Sequence, residues 1–320
     1  MVERMRWKAK LTRTFSIVLY LIVVCLPASA CASLRPVIKI GLLAPFEGLY
    51  RRTGYEALAA MRLAIAETPV AGIDLLPLAL DDSQNPQRTL QKLLADASVR
   101  AIVGPQNPTS LARLSSWPNE DRLSWFIPFA IEPETGVFAN SHQTTAWATQ
   151  LVEAVAEGIQ PQQRLVLAGL EHGWPQQSSQ TWTEIAGLPV LVNDNPTVVQ
   201  PTDAILWLGN PAEGAVYLAR VRQTQPDVPF WMGPEGGDPV FAERAPIRGP
   251  VYWATWLDDA YASWAAAHPS PTPAAYRVYQ ATRQAIAAVT GTALSASPRR
   301  WRVQLFILDE SGASYPFTVD

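Results

Sequence analysis

The stretch VIKIGLLAPFEGLYRRTGYEALAAMRLAIAE, residues 37 to 67, decides the fold of this chain. Its first part, Val37 to Ala44, is a continuous apolar run, which is typical of a strand buried on both faces of a parallel sheet. Its second part, Gly54 to Glu67, places apolar residues on one face at helical spacing and predicts an amphipathic helix. A strand that leads directly into a helix is the repeating unit of an α/β protein.

The same alternation continues along the chain, so the sequence predicts an α/β protein with helices on both faces of parallel sheets. Prolines stand at the junctions between segments, where they end one element and start the next. The further predicted strands are residues 73–80, 100–103, 123–129, 164–169, 188–192, 204–208, 228–232 and 251–256, with a closing hairpin of 302–308 and 315–319. The further predicted helices are residues 86–97, 108–117, 145–157, 176–186, 212–223, 258–267 and 273–290.

The N-terminus has the features of an export signal. Five basic side chains precede a short apolar run, Ser16 to Pro27, and small residues then lead into Ala28-Ser29-Ala30-Cys31. This order is that of a cleavable signal peptide, and the run is shorter than the about 20 residues that a membrane span needs. The cysteine resembles that of a bacterial lipobox, in which the thiol is acylated. We therefore expect residues 1–30 to be a lipoprotein signal peptide and Cys31 to carry the lipid; the alternative is ordinary cleavage near Ala30.

Cysteine usage and charge restrict the class of protein further. The chain has two cysteines, Cys25 and Cys31, and Cys25 lies within the predicted signal, so the mature chain can form no internal disulfide. The formal net charge is −3, and removal of five basic and one acidic residue with the signal leaves −7. An acidic surface argues against nucleic acid as a partner. The remaining length of about 290 residues suggests two domains, with membrane contact through the N-terminal lipid.

Several stretches together resemble a known family. Besides residues 38–67, they are Asp81-Asp82-Ser83, AIVGPQNPTSLA (residues 101–112) and FIPFAIEPE (residues 126–134). They are similar to type I periplasmic binding proteins of the leucine/isoleucine/valine-binding class, which are the substrate-binding components of ABC transporters. The resemblance implies two doubly wound parallel-sheet lobes that are joined by a three-segment hinge and close on a small ligand.

The resemblance also implies how the chain divides. Lobe 1 would consist of residues 37–140 plus 252–291, and lobe 2 of residues 141–251 plus 300–320. The chain would cross between the lobes near residues 139–144, 249–253 and 291–301. An ABC permease is the implied protein partner, and the implied location is the cell envelope, with the lipid on the outer face of the membrane or the protein in the periplasm.

The ligand site is expected where the strands of the first lobe end, because ligands of open parallel sheets bind at the carboxyl ends of the strands. By the resemblance, the loop of residues 107–110 holds an amino-acid carboxylate, and residues 129–132 form a second ligand loop. An aromatic wall and a polar group from the second lobe would complete the site. The expected ligand-binding residues are Phe46, Glu47, Asn107, Thr109, Ser110, Ala130, Glu132, Trp174 and Glu235.

The chain departs from the family pattern at several places. Ile131 stands where a threonine is expected to bond the ligand, and Gly173-Trp174 replaces a Tyr-Gly pair. The departures argue against a standard aliphatic amino acid, and the expected ligand is a small polar compound, such as an amino acid, an amide or a similar molecule. They also leave open a second function: a lipoprotein that keeps the fold but acts through protein contacts, as activators of cell-wall enzymes do.

The sequence gives no indication of catalysis. His142, His172 and His268 are far apart and lack metal-ligand spacing. No nucleophile elbow, zinc-protease motif, dinucleotide fingerprint or P-loop is present. The pair Asp81-Asp82 is interpreted as a turn at a strand end, because adjacent residues of a strand point to opposite faces. We therefore expect neither an enzyme nor a metal or cofactor.

Overall fold

The computed structural model describes residues 35–114, 123–129, 145–170, 174, 177–269, 272–292 and 301–318. They form two compact units. In the small one, Met1–Val37 with Ala71–Asp74, the Arg35 guanidinium lies 3.9 Å from the Asp74 carboxylate. The large one, Ile38–Val70 with Leu75–Asp320, holds the apolar core described below. Among the described helices, none has the combination of length and hydrophobicity needed to cross a bilayer.

Four strands form the first sheet, in the order β2-β1-β3-β4. They are β1 (Val37–Ala44), β2 (Asp74–Asp81), β3 (Val99–Val103) and β4 (Ser124–Phe126), and β3 pairs in parallel with both β1 and β4. β1 is fully buried from Ile40 onwards, as its continuous apolar run predicts. The associated helices are α1 (Arg51–Glu67), α2 (Pro86–Ala95) and α3 (Pro108–Ala112).

Side-chain caps, prolines and glycines determine where the helices of the first sheet start. The Asn85 side chain accepts a hydrogen bond from the Arg88 N–H at 2.9 Å, and Pro86 occupies the first turn of α2, where its missing N–H costs nothing. α1 begins at Arg51, one turn before the predicted Gly54, and has no side-chain cap. Gly54 is required there, because a Cβ atom would lie 1.9 Å from the Pro45 carbonyl oxygen.

Seven strands form the second sheet, in the order β11-β10-β9-β8-β7-β5-β6. The parallel part is β5 to β9, and β10 and β11 add an antiparallel hairpin at one edge. These strands are β5 (Arg164–Ala168), β6 (Val190–Val192), β7 (Asp203–Trp207), β8 (Phe230–Met232), β9 (Val251–Leu257), β10 (Arg302–Leu308) and β11 (Ser314–Phe317). The helices between them are α4 (Thr145–Glu157), α5 (Ser179–Ala186), α6 (Pro211–Arg222) and α7 (Pro239–Arg244).

After β9 the chain forms α8 (Tyr261–Ala267) and the long helix α9 (Pro273–Thr290), and α9 packs against α1, β3 and β4 of the first sheet. β9 itself pairs along its whole length with β10. Residues 252–257 therefore belong to the second sheet and not to the first lobe, where the sequence analysis placed them. The predicted helix start at residue 258 is also wrong, because Asp258 lies in a turn before α8, is 1 % exposed and accepts a hydrogen bond from the Tyr276 hydroxyl.

Candidate functional site

A cleft of about 480 Å³ lies at the carboxyl ends of β1, β2 and β3. Its other wall comes from the first turn of α6 and from the 3₁₀ turn Pro234–Gly237, which follows β8. The volume is within the roughly 300–1,000 Å³ of ordinary small-molecule sites. Five of the nine predicted ligand-binding residues line it together: Glu47, Asn107, Thr109, Ser110 and Glu235.

The other predicted residues lie elsewhere. Phe46 stands beside the cleft but does not line it, and its ring packs edge-on against Tyr55 at 5.5 Å. Trp174 is 5 % exposed, belongs to the apolar core and lines neither of the two cavities described here. Ala130, Glu132 and the lipid-bearing candidate Cys31 lie outside the described residues. The ligand contacts of all nine residues, and the lipid on Cys31, stay predictions.

Asp81 holds the loop that follows β1. Its carboxylate accepts hydrogen bonds from the backbone N–H groups of Phe46 at 2.6 Å and Glu47 at 3.2 Å, and from the Ser83 hydroxyl at 2.7 Å. Partial burial acts to raise the pKa of Asp81, but these hydrogen bonds outweigh it and lower the pKa overall. The predicted turn at the strand end is therefore also the support for one side of the cleft.

Its neighbour Asp82 has the opposite environment. The Asp82 side chain is fully buried, and neither carboxylate oxygen has a hydrogen-bond partner among the described residues. Burial, and secondly the charge of Asp81, raises the pKa of Asp82 to about 7, although Arg113 opposes the shift. With this pKa, the buried carboxyl group is partly protonated near neutral pH.

The loop after β3 presents the predicted polar residues. Gly104 has a φ of 110°, and a Cβ atom there would lie 2.3 Å from the Leu43 carbonyl oxygen, so only glycine fits this close approach. The Asn107 side-chain oxygen caps α3 by accepting from the Ser110 N–H at 2.7 Å. Both Asn107 and Thr109 line the cleft, and among the described residues neither the Asn107 amide N–H₂ group nor the Thr109 hydroxyl has a hydrogen-bond partner.

Two hydrogen-bonded contacts join the walls of the cleft. The Tyr50 hydroxyl donates to the Asn210 side-chain oxygen at 3.1 Å and accepts from the Ala212 N–H at 3.3 Å. The Thr53 hydroxyl donates to the Asp238 carboxylate. These contacts were not predictable from the sequence, because a hydrogen bond between residues more than 150 positions apart leaves no local pattern.

A smaller side cavity of about 50 Å³, measured as the space open to the centre of a water-sized sphere, adjoins the cleft. Tyr50, Asn107 and Glu235 line both spaces, and Arg277 of α9 lines only the side cavity. Burial, and secondly the nearby Asp238, raises the pKa of Glu235 to about 8, so this group is mostly protonated at neutral pH.

The groups that line the cleft suit the binding of a small molecule. Within the described part of the chain, no group of three or more histidine, cysteine or acidic side chains is placed to hold a metal ion. The cleft offers amide, hydroxyl and carboxyl groups on a partly apolar wall, which is the composition of a small-molecule binding site.

A two-sheet α/β fold with a polar cleft at the carboxyl ends of its strands defines a class of ligand-binding proteins. The family model described as periplasmic binding protein matches residues 37–240, and the chain belongs to this family. Both the family and the fold expected from the sequence are thereby confirmed. A comparison with curated protein sequences gives no match.

Solved structures with the same fold are distant in sequence. A leucine binding protein from Thermotoga maritima has 14 % identity and a TM-score of 0.65, covering 88 % of this chain and 98 % of that one. A branched-chain amino acid transporter substrate binding protein from Streptococcus pneumoniae, in complex with isoleucine, has 13 % identity and a TM-score of 0.60, and the match covers 88 % of this chain and 99 % of that one. A solute binding protein from R. palustris, in complex with benzoate, has 14 % identity and a TM-score of 0.61, and the match covers 88 % of this chain and 95 % of that one. At this identity the likeness concerns the fold, that of type I periplasmic binding proteins.

Proposed function

We propose that this protein is an exported, lipid-anchored solute-binding protein that captures a small polar ligand in the cleft and delivers it to an ABC importer. One observation carries the proposal: the cleft collects polar residues from three strand ends of the first sheet and faces Asn210 and Glu235 from the second. Such convergence of polar groups on one space is what capture of a small solute requires.

Other findings support the proposal. The family consists of periplasmic binding proteins, and the solved neighbours bind leucine, isoleucine and benzoate by their descriptions. The predicted signal peptide and Cys31 agree with export and lipid attachment. We infer that the first lobe comprises residues 37–140 with α9, that the second comprises residues 141–257 with 300–320, and that the chain acts by binding and not by catalysis.

The proposal is tested by a thermal-shift screen of the full chain against amino acids, amides, short peptides, aromatic acids and sugars, followed by calorimetry with each compound that stabilises it. A ligand at a hundredfold excess over its dissociation constant stabilises a protein by about 2.7 kcal/mol. Ligand binding with compaction in solution scattering is the expected result. A screen without any stabilising compound would contradict capture of a solute and favour the alternative, action through protein contacts.

Variants then test the position of the ligand. Thr109→Ala should weaken binding about five- to a hundredfold, because it removes one hydrogen bond in a closed cleft. Thr68→Ala is the matched control. Thr68 follows the C-terminal end of α1, whereas the N-terminal end of α1 borders the cleft, and Thr68 lines neither cavity. Equal affinities of the two variants would place the ligand outside the cleft.

A further inference from the structure

Arg277 is a buried cation with which no described residue forms an ion pair. Its side chain is 4 % exposed, and the guanidinium donates to the buried Thr255 hydroxyl, whereas its Nε–H has no partner in the described part of the chain. No carboxylate oxygen of the described residues lies within 4.0 Å of its nitrogens. Burial lowers the pKa of Arg277 to about 10, so it remains charged at neutral pH. A buried charge without a partner is costly, and an anion beside it would remove that cost.

The acidic groups around the side cavity do not supply that anion. Glu235 is the acidic residue that acts on Arg277 through space, but its raised pKa leaves it mostly protonated at neutral pH. Glu56 is paired with Arg52 at 3.1 Å. The Asp238 carboxylate accepts hydrogen bonds from the Thr53 hydroxyl and the Val240 N–H.

The size of the side cavity fits a small anionic group. A single water needs roughly 10–15 Å³ of such space, so about 50 Å³ admits a group of a few heavy atoms. A carboxylate has three heavy atoms, and its two oxygens match the planar fork of a guanidinium. A protonated Glu235 and the Asn107 amide, which also line this cavity, could donate to the same oxygens.

We propose that the side cavity is an anion subsite in which Arg277 binds a carboxylate of the ligand, so that the captured solute is an acid whose anionic group enters beyond the main cleft. The inference rests on the proposed function and makes Arg277 a specificity-determining residue. The strongest polar contact of the ligand is then with Arg277 on α9, and not with the loop of residues 107–110.

The subsite can be tested without the natural ligand, using sodium acetate and its neutral analogue acetamide as probes of the full chain. Binding is followed by tryptophan fluorescence at fixed ionic strength, because Trp253 lines the side cavity. We expect acetate to bind and acetamide not to bind. Equal binding of both probes, or no binding of acetate at high millimolar concentration, would overturn the proposal with the wild-type protein alone.

Variants locate the binding on Arg277. Arg277→Met should weaken acetate about ten- to a hundredfold, since it removes a hydrogen bond to a charged group. Arg283→Met is the matched control on the same helix, because Arg283 lies over the Tyr279 ring and lines neither cavity. Acetate binding that is unchanged in Arg277→Met would overturn the assignment.

The two proposals fail in different ways. If the solute screen finds a ligand but acetate does not bind, the anion subsite is wrong and solute capture stands. If acetate binds through Arg277 but the screen finds no solute, the anion site stands, whereas solute capture is wrong and with it the conclusion that the captured solute is an acid.

Discussion

The Tyr50 hydroxyl and the Asn210 side chain, 160 positions apart, meet at 3.1 Å across the mouth of the cleft. Tyr50 immediately precedes α1, and Asn210 caps α6 by accepting from the Glu213 N–H at 2.9 Å. Burial raises the pKa of the Tyr50 hydroxyl above its ordinary value, so the group remains a donor throughout the physiological range. The contact therefore holds the two walls together before any ligand enters.

Tyr50→Phe should loosen this arrangement. The variant loses the bonds to Asn210 and Ala212, at about 1 kcal/mol for a typical hydrogen bond. We expect a lower free energy of unfolding in urea and a larger radius of gyration of the ligand-free protein. Tyr55→Phe is the control, because Tyr55 is 59 % exposed and its hydroxyl has no partner among the described residues. Identical behaviour of both variants would contradict a bridging role.

Asp82 should make stability depend on pH. Its pKa is raised from 3.8 to about 7 on folding, so the folded state holds the proton more tightly and the free energy of unfolding falls as the pH rises through that window. Asp82→Asn removes this dependence. We expect the stability of the variant relative to wild type to rise by on the order of 2 kcal/mol between about pH 5 and pH 8.

Asp96→Asn is the control for that measurement, made by urea denaturation at both pH values. The hydrogen bonds from Lys39 and Ser98 lower the pKa of Asp96, so it is ionised in the folded and unfolded states throughout this range. The loss of unfolding free energy in Asp96→Asn should therefore be the same at about pH 5 and at about pH 8. A parallel, pH-independent effect of Asp82→Asn would show that Asp82 is already ionised at about pH 5.

Two ion pairs of the second sheet should differ in their contribution to stability. Arg164 binds Asp203 with two hydrogen bonds, at 3.0 and 2.7 Å, and Asp203 is 1 % exposed. Arg164→Met leaves that buried carboxylate without its cation and should cost about 2 to 3 kcal/mol, as expected for lost hydrogen bonds to a charged group. Arg302 pairs with Asp259 on the surface, so Arg302→Met should cost less than about 1 kcal/mol. Denaturant unfolding of both variants tests this prediction. A larger loss of unfolding free energy in Arg302→Met than in Arg164→Met would contradict it.

Cys31→Ser should release the protein from the membrane, because it removes the thiol that we expect to be acylated. Fractionation of cells should show the wild-type protein in the membrane fraction and the variant in the soluble one. Cys25→Ser is the control, since Cys25 lies within the predicted signal peptide. A variant that stays with the membrane, or a native N-terminus beyond residue 31, would contradict lipid attachment.

Much of the fold was predictable because buried parallel strands leave continuous apolar runs. Thr145–Glu157, Pro273–Thr290 and Arg302–Leu308 have the predicted bounds. The error at residue 258 arose because Asp258 looks like a helix start, while its carboxylate serves Tyr276 and the Ala260 N–H.

The cleft was predictable in part, and the side cavity was not. The loop residues follow strand ends, which the sequence marks. Arg277 looks like an exposed helical residue, because nothing local shows that Tyr276, Arg277 and Val278 are all buried. That burial results from α9 packing on the first sheet, which is a property of the whole chain.

The outer strands of the two sheets also bear on how the protein behaves among its own copies. β2 and β11 each form one edge and contain Pro77 and Pro316, which have no N–H to offer an incoming strand. The opposite edges, β4 and β6, are three residues long. Edges that are short or interrupted by proline make poor templates for another chain. The protein should therefore resist strand-mediated aggregation when it is crowded at high local concentration.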